Sequence, residues 1–68
     1  MQGIEIQCNG EAKVVTSTTV AELLSELHLE GKRIAVELNR EIVPRTAYDS
    51  TPLNSGDVVE IVHFVGGG

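Results

Sequence analysis

Several residue types are scarce in this chain, and each scarcity excludes a class of protein. One cysteine among 68 residues cannot form an internal disulfide. No apolar run approaches the roughly 20 residues that span a bilayer. The first residues also lack the basic and long apolar regions of a signal peptide. We therefore expect a cytoplasmic protein with no membrane association.

Basic residues are also few. Five lysines and arginines stand against ten acidic residues, which gives a net charge of −5, and the basic residues form no long run. Phosphate backbones would be repelled by this balance, so nucleic-acid binding is not expected. Basic surfaces of partner proteins would instead be attracted.

Motifs for catalysis and for ligand binding are missing as well. The chain has no GxxxxGK[ST] loop for nucleotide phosphates and no candidate Ser-His-Asp set. His28 and His63 lie far apart without a cysteine or histidine at ligand spacing, so no metal is predicted. Cys8 lies on an alternating apolar segment, where packing is expected ahead of a persulfide role. The sequence therefore predicts no catalytic residue, no bound cofactor and no enzyme activity of its own.

What the chain does contain is a regular order of short elements. Alternating residues predict a strand over Ile4–Cys8, a tight turn at Asn9-Gly10 and a second strand over about 12–16. Thr19 to Glu22 has the pattern of a capping box at a helix start, and Gly31 is a candidate helix stop. One face of that helix is apolar and comprises Val20, Leu23, Leu24 and Leu27.

The second half predicts three more segments. A strand over 33–38 turns at Asn39-Arg40 into a short strand over 42–43, which Pro44 ends. An irregular stretch over 45–54 follows, with Tyr48 and Leu53 as its expected core anchors. The last strand covers 58–65 and is the most apolar. The position of Arg45 allows two interpretations: pairing with a nearby carboxylate of this chain, or contact with a partner.

Parity divides the last strand into two faces. Val59 and Ile61 share the face expected to pack on the helix. The opposite face is predicted to be an open, partner-docking surface, with ordinary sheet residues under a loop as the alternative; it comprises Val58, Glu60, Val62 and Phe64.

The element order ββαββ with a late strand predicts an α+β fold of the β-grasp, ubiquitin-like type. Four to five strands form its mixed sheet, which one main helix covers, and the last strand lies centrally beside the first. Residues 1–65 would form this domain. Gly66, Gly67 and Gly68 would form a flexible tail, because three glycines lose too much backbone entropy in a helix or strand.

Such a tail is slim enough to thread a narrow channel and to present the carboxylate of Gly68 to a distant active site. An ionised carboxylate is a poor electrophile, so acyl chemistry there requires activation by a partner enzyme. A flexible linker or a cloning remnant would have the same composition. The tail is preferred because the glycines follow a strand directly.

Four segments in register carry a family resemblance: residues 20–24 (VAELL), residues 36–45 (VELNREIVPR), Gly56-Asp57 and the final glycines. Together they resemble the ThiS family, the sulfur carriers of thiamine biosynthesis, over essentially the whole chain. The helix segment is weak by itself, whereas the run from Asn39 to Arg45, Gly56-Asp57 and the Gly-Gly terminus, all in register at this length, are much more specific together.

The resemblance implies a reaction sequence and its partners. A ThiF-type enzyme would adenylate the carboxyl group of Gly68 with ATP, and sulfur from a cysteine-desulfurase route would displace AMP. The resulting thiocarboxylate would pass its sulfur to thiazole synthase (ThiG). Gly67 and Gly68 match the family's terminal pair, and Gly66 extends it. Three alternatives remain open: a MoaD-like carrier for molybdopterin synthesis, a ubiquitin-like protein modifier, and a binding module without terminal chemistry.

Overall fold

The computed structural model describes residues 3–64, which form five strands, one α-helix and one short 3₁₀ turn. The bounds are β1 Ile4–Cys8, β2 Glu11–Val15, α1 Val20–Glu26, β3 Ile34–Leu38, β4 Glu41–Val43, the 3₁₀ turn Arg45–Ala47 and β5 Val58–His63. The predicted α+β, β-grasp class is confirmed. Strand bounds agree with the predictions to within one residue at most ends. The predictions for Val65, Gly66, Gly67 and Gly68 lie outside the described residues.

The strands form one mixed sheet in the order β2-β1-β5-β3-β4. β5 is the last strand in sequence and the central strand in space. It runs parallel to β1 and antiparallel to β3, while the two hairpins β1–β2 and β3–β4 are antiparallel. The sheet is therefore two hairpins joined through the last strand, as the element order predicted.

Both hairpins turn on two residues with positive φ. Asn9 and Gly10 have φ of 52° and 84°, and Asn39 and Arg40 have φ of 52° and 72°. Positive φ at both central residues matches the right-handed twist of the flanking strands, and asparagine tolerates it better than most residues. The two predicted turns are confirmed.

The helix begins where its capping pattern indicated. The Oγ1 of Thr19 accepts from the N–H of Glu22 at 3.2 Å, while the carboxylate of Glu22 accepts from the N–H of Thr18 at 2.7 Å and from its hydroxyl at 2.8 Å. The two hydrogen bonds from Thr18, the backbone one foremost, lower the pKa of the Glu22 carboxyl group. The Glu22 carboxylate thus accepts from the backbone N–H of Thr18, whereas in a standard capping box it would accept from the N–H of the N-cap residue, here Thr19.

The helix ends earlier than Gly31. His28 has a φ of 61°, its N–H donates to the carbonyl of Ser25 at 3.1 Å, and the N–H of Leu29 donates to the carbonyl of Leu24 at 2.7 Å. These two bonds define a Schellman motif with histidine in the position that glycine usually occupies. Leu29 packs against the core cluster to which Leu24 belongs, and this apolar packing accounts for the early stop.

The core lies between α1 and one face of the sheet. Val20, Leu23, Val36 and Val59 have no exposed surface. The other buried apolar residues are Ile6, Cys8, Val15, Leu24, Ile34, Val43, Leu53 and Ile61. Tyr48 packs against this cluster, so both predicted anchors of the irregular stretch are confirmed.

Cys8 belongs to this core, and burial raises the pKa of its thiol. This position supports its packing role. Within residues 3–64, no helix is long and apolar enough to cross a membrane. The same residues contain no group of three or more His, Cys, Asp or Glu side chains placed to hold a metal ion.

Candidate functional site: the open sheet face and the end of the last strand

The last strand has two unlike faces. Val59 and Ile61 are buried under α1, whereas Val62 is 54% exposed and Phe64, which follows the strand, is 61% exposed. Val58 and Glu60 lie on the same open face and are also exposed. The predicted exposure of these four residues is confirmed. Their role in docking a partner stays a prediction.

Neighbouring strands extend this apolar surface. Ala35 of β3 lies directly opposite Val62, and Ile42 of β4 lies directly opposite Glu37. Farther out, Val14 on β2 is 73% exposed. Exposed apolar side chains therefore recur across this face with acidic residues between them, and exposed apolar groups of this kind suit an interaction surface.

Charge on the open face has one sign. The strand residues on this face include Glu5, Glu37 and Glu60, and none of those in β1–β5 is a lysine or arginine. Glu37 and Glu60 lie directly opposite each other in the register of β3 and β5. Like charges in that position are unfavourable. A cationic group of a partner would relieve the repulsion, so the face suits an apolar partner surface with basic residues.

An asparagine side chain holds the last strand on the β1 side. The N–H of Ile61 donates to Oδ1 of Asn9 at 2.7 Å, and Nδ2 of Asn9 donates to the carbonyl of Ile61 at 3.3 Å. The backbone N–H of Asn9 donates to Val59 at 2.9 Å. The side chain thereby continues the β1–β5 pairing beyond Cys8, where β1 ends.

A second asparagine holds the strand on the β3 side. The N–H of Val58 donates to Oδ1 of Asn39 at 3.0 Å, and Nδ2 of Asn39 donates to Asp57 at 3.1 Å. Sequence reasoning explained Asn39 by its turn alone and missed this role. One signal was available, because both hairpin turns begin with asparagine at equivalent positions.

The end of the last strand is fixed against β3. The N–H of Phe64 donates to the carbonyl of Arg33 at 3.0 Å. This hydrogen bond fixes the position of Phe64, the last described residue before the predicted glycine tail. His63 is exposed next to it, as predicted for a strand-surface histidine.

A comparison with known protein families identifies the family of this chain. A family model described as the ThiS family matches residues 3–68. The chain belongs to the ThiS family. The resemblance found in the sequence is therefore confirmed over nearly the whole chain, including the final glycines.

Individual relatives agree with this family. The sulfur carrier protein ThiS of Bacillus subtilis is 48% identical over 50 residues, which cover 74% of this chain and 76% of that protein. The sulfur carrier protein ThiS of Thermus thermophilus is 40% identical over 88% of this chain and 94% of its own length. A crystal structure of the thiamine biosynthesis protein ThiS from Geobacter metallireducens superimposes with a TM-score of 0.82 at 38% identity, covering 96% of this chain and 100% of that one.

Much longer proteins match as well. A thiazole synthase of Paramagnetospirillum magneticum is 44% identical over 66 residues, but the chain spans only 20% of its length. A thiazole synthase of Magnetococcus marinus matches in the same way, at 38% identity and 20% of its length. Segments similar to this ThiS-family chain thus occur within proteins named thiazole synthase.

Proposed function

We propose that the chain is a sulfur carrier that partner enzymes act on, and that its reacting group is the carboxyl group of Gly68. The observation that carries this proposal is the family match, which runs through residue 68 and includes the three glycines after the central strand. The named ThiS relatives support sulfur carriage as the function.

The chemistry begins with an unreactive carboxylate. A carboxylate oxygen of Gly68 attacks the α-phosphorus of ATP in the active site of a ThiF-type enzyme, and pyrophosphate leaves. The resulting mixed anhydride is attacked at its carbonyl carbon by sulfide, which a thiol reductant releases from the persulfide of a cysteine desulfurase, and AMP leaves. The product is a thiocarboxylate. The ATP belongs to the activating enzyme, and the carrier itself holds no cofactor.

The recipient of the sulfur is proposed to be thiazole synthase. The thiocarboxylate sulfur is a better nucleophile than the carboxylate oxygen, which suits it to ring formation. Two thiazole synthases that contain a segment similar to this chain support that recipient over a molybdopterin-forming enzyme.

In this proposal the folded domain positions the glycine tail, and the partner enzymes supply the catalytic groups. Asn9 and Asn39 fix the backbone of β5 from both sides, so the last strand is a rigid base for the tail. Gly66 and Gly67 carry no Cβ atoms and suit a narrow channel in each partner. The open face beside β5 is proposed to dock on that partner through Val58, Glu60, Val62 and Phe64.

Intact mass spectrometry tests the proposal. The protein is coexpressed with its ThiF-type enzyme and a cysteine desulfurase, and we expect a mass gain equal to the exchange of one oxygen for sulfur. Removal of Gly68 should abolish the gain, while Cys8→Ser should leave it intact and so exclude a persulfide on the thiol. An unchanged mass, under conditions that convert an established carrier, would count against sulfur carriage. Conjugates with lysine side chains would identify a protein modifier instead.

A further inference from the structure

A groove on the helix side of the molecule gathers most of its positive charge. It has a volume of about 340 Å³ and lies between the end of α1, the loop before β3 and the 3₁₀ turn. Its cationic residues are Lys32, Arg33 and Arg45. The rest of its lining is Leu24, Leu29, Gly31, Ile34 and Tyr48. An apolar floor with a cationic rim suits an anionic side chain.

This concentration is unusual for so acidic a chain. The sequence has only five lysines and arginines and a net charge of −5, yet three of the five line this one groove. The other two lie elsewhere: Lys13 is on the edge strand β2, and Arg40 is in the turn at the far end of β3. The distribution therefore places opposite charges on two surfaces, with glutamates on the open sheet face and cations in the groove.

The groove adjoins the point where the last strand ends. Arg33, which lines it, accepts the hydrogen bond from the N–H of Phe64. The four residues that follow span at most about 3.6 Å each, so an enzyme that reacts with Gly68 must approach to within roughly 15 Å of this place. Any such enzyme has a surface near the cations.

We propose that the groove binds carboxylate side chains of the activating enzyme, beside the entrance through which that enzyme takes up the tail. This inference rests on the proposed function. Arginine and lysine on a partly apolar floor form stronger ion pairs with a carboxylate than they would in open water. Together with the acidic sheet face, the groove gives the carrier one acidic and one basic contact, which fixes its orientation on the enzyme.

A charge-matched pair of double variants tests the groove. Lys32→Glu with Arg45→Glu reverses two groove cations, and Lys13→Glu with Arg40→Glu reverses the two cations outside it. Each variant replaces one lysine and one arginine, so both carry the same net charge. The measured quantity is kcat/KM for ATP-dependent activation of the carrier by its ThiF-type enzyme, at low salt and near 1 M salt.

We expect the groove variant to lose roughly tenfold or more in kcat/KM at low salt, and the control variant to lose less than about threefold. The difference should shrink near 1 M salt, where the screening length falls to about 3 Å. Thermal unfolding checks that both variants fold. If the glutamate variant unfolds, Lys32→Gln with Arg45→Gln is compared with Lys13→Gln and Arg40→Gln, with a smaller loss expected in the same direction.

Equal losses in the two variants, or none in either, would overturn the inference while wild-type activation still supports the carrier function. Failure of the wild type to be activated would instead remove the proposed function, and the inference with it. A third outcome concerns the chain's own carboxylate. If removal of residues 65–68 shifted the NMR signals of Leu29 and Tyr48, the tail would be the occupant and the inference would be wrong.

Discussion

At the residue scale, the two turn asparagines do more than form turns. Each has a positive φ, and each uses its side-chain amide to satisfy backbone groups of the last strand. Asn9 and Ile61 are 52 residues apart, and Asn39 and Val58 are 19 apart. Local patterns predict a turn from a residue and its neighbours. They do not show which distant strand will lie beside that turn, so the shared asparagine could suggest a common role but not its partner in β5.

Asn9→Gly separates the turn from the side-chain contact. Glycine keeps the positive φ but leaves the N–H and carbonyl of Ile61 without the amide, so we expect a loss of about 1–3 kcal/mol in the free energy of unfolding. Urea denaturation measures it. Asn54→Gly, in an exposed loop and without a positive φ, is a control for the backbone entropy that glycine adds, and it should cost less. Equal losses would show that the Asn9 amide contributes nothing beyond the turn.

Burial at single positions was more predictable. The alternation in β1 and β5 assigned Ile6, Cys8, Val59 and Ile61 to the core side, and all four are buried. Strand geometry explains this success, because successive side chains point to opposite faces whatever the strand pairs with.

At the element scale, the start of α1 was predictable and its end was not. The start depends on Thr19 and Glu22, which act through hydrogen bonds within a few residues. The end depends on the packing of Leu29 against the core cluster that contains Leu24, and this packing exists only once the core has formed. Gly31 was the expected stop because it is glycine. His28 takes the left-handed conformation instead, since the apolar packing outweighs the cost of positive φ.

His28→Gly should therefore stabilise the protein. Glycine adopts positive φ without the clash that a Cβ atom causes, and we expect a gain of about 0.5–1 kcal/mol in the free energy of unfolding. His63→Gly is the control: it removes the other exposed histidine from within a strand and should destabilise. Thermal or urea unfolding of both variants decides the matter. A loss of stability in His28→Gly would mean that the imidazole makes a favourable interaction of its own.

The 3₁₀ turn Arg45–Ala47 was also outside the reach of sequence patterns. Sequence reasoning expected an irregular stretch here, and most of it is irregular. Two backbone carbonyls of this irregular stretch accept hydrogen bonds from the start of α1. The carbonyl of Tyr48 accepts from the N–H of Ala21, and the carbonyl of Thr51 accepts from the N–H of Val20. These hydrogen bonds depend on the tertiary fold, which places the loop beside the start of α1.

At the scale of the whole molecule, the distribution of apolar and charged surface determines how partners can approach. Most of the open face was predictable, because parity exposed Val58, Glu60, Val62 and Phe64. The direct opposition of Glu37 and Glu60, and the convergence of three cations in one groove, were not. Both depend on the register of β3 against β5 and on the packing of loops, which a single strand's pattern does not contain.

Two matched double variants test the open face as a docking surface. Val62→Ser with Phe64→Ser removes apolar surface on and beside the last strand, while Val14→Ser with Ile42→Ser removes it from the outer strands. All four residues are more than half exposed, so little change in unfolding free energy is expected from either pair. We expect roughly a tenfold loss in kcat/KM for activation in the first pair only. Equal losses of kcat/KM in the two pairs would show that the residues of the last strand contribute no more to docking than those of the outer strands.

The central position of the last strand in the sheet affects how the protein folds during its synthesis on the ribosome. Until residues 58–63 emerge, the nascent chain lacks the strand that joins the two hairpins, so the continuous sheet cannot form. Pairing of β1 with β5 joins the two ends of the chain, a long loop closure that slows folding. The sheet can therefore be completed only after residue 63 has emerged. Its final glycines follow the strand that completes the fold, so a truncated copy lacking that strand offers a partner neither the folded surface nor the tail.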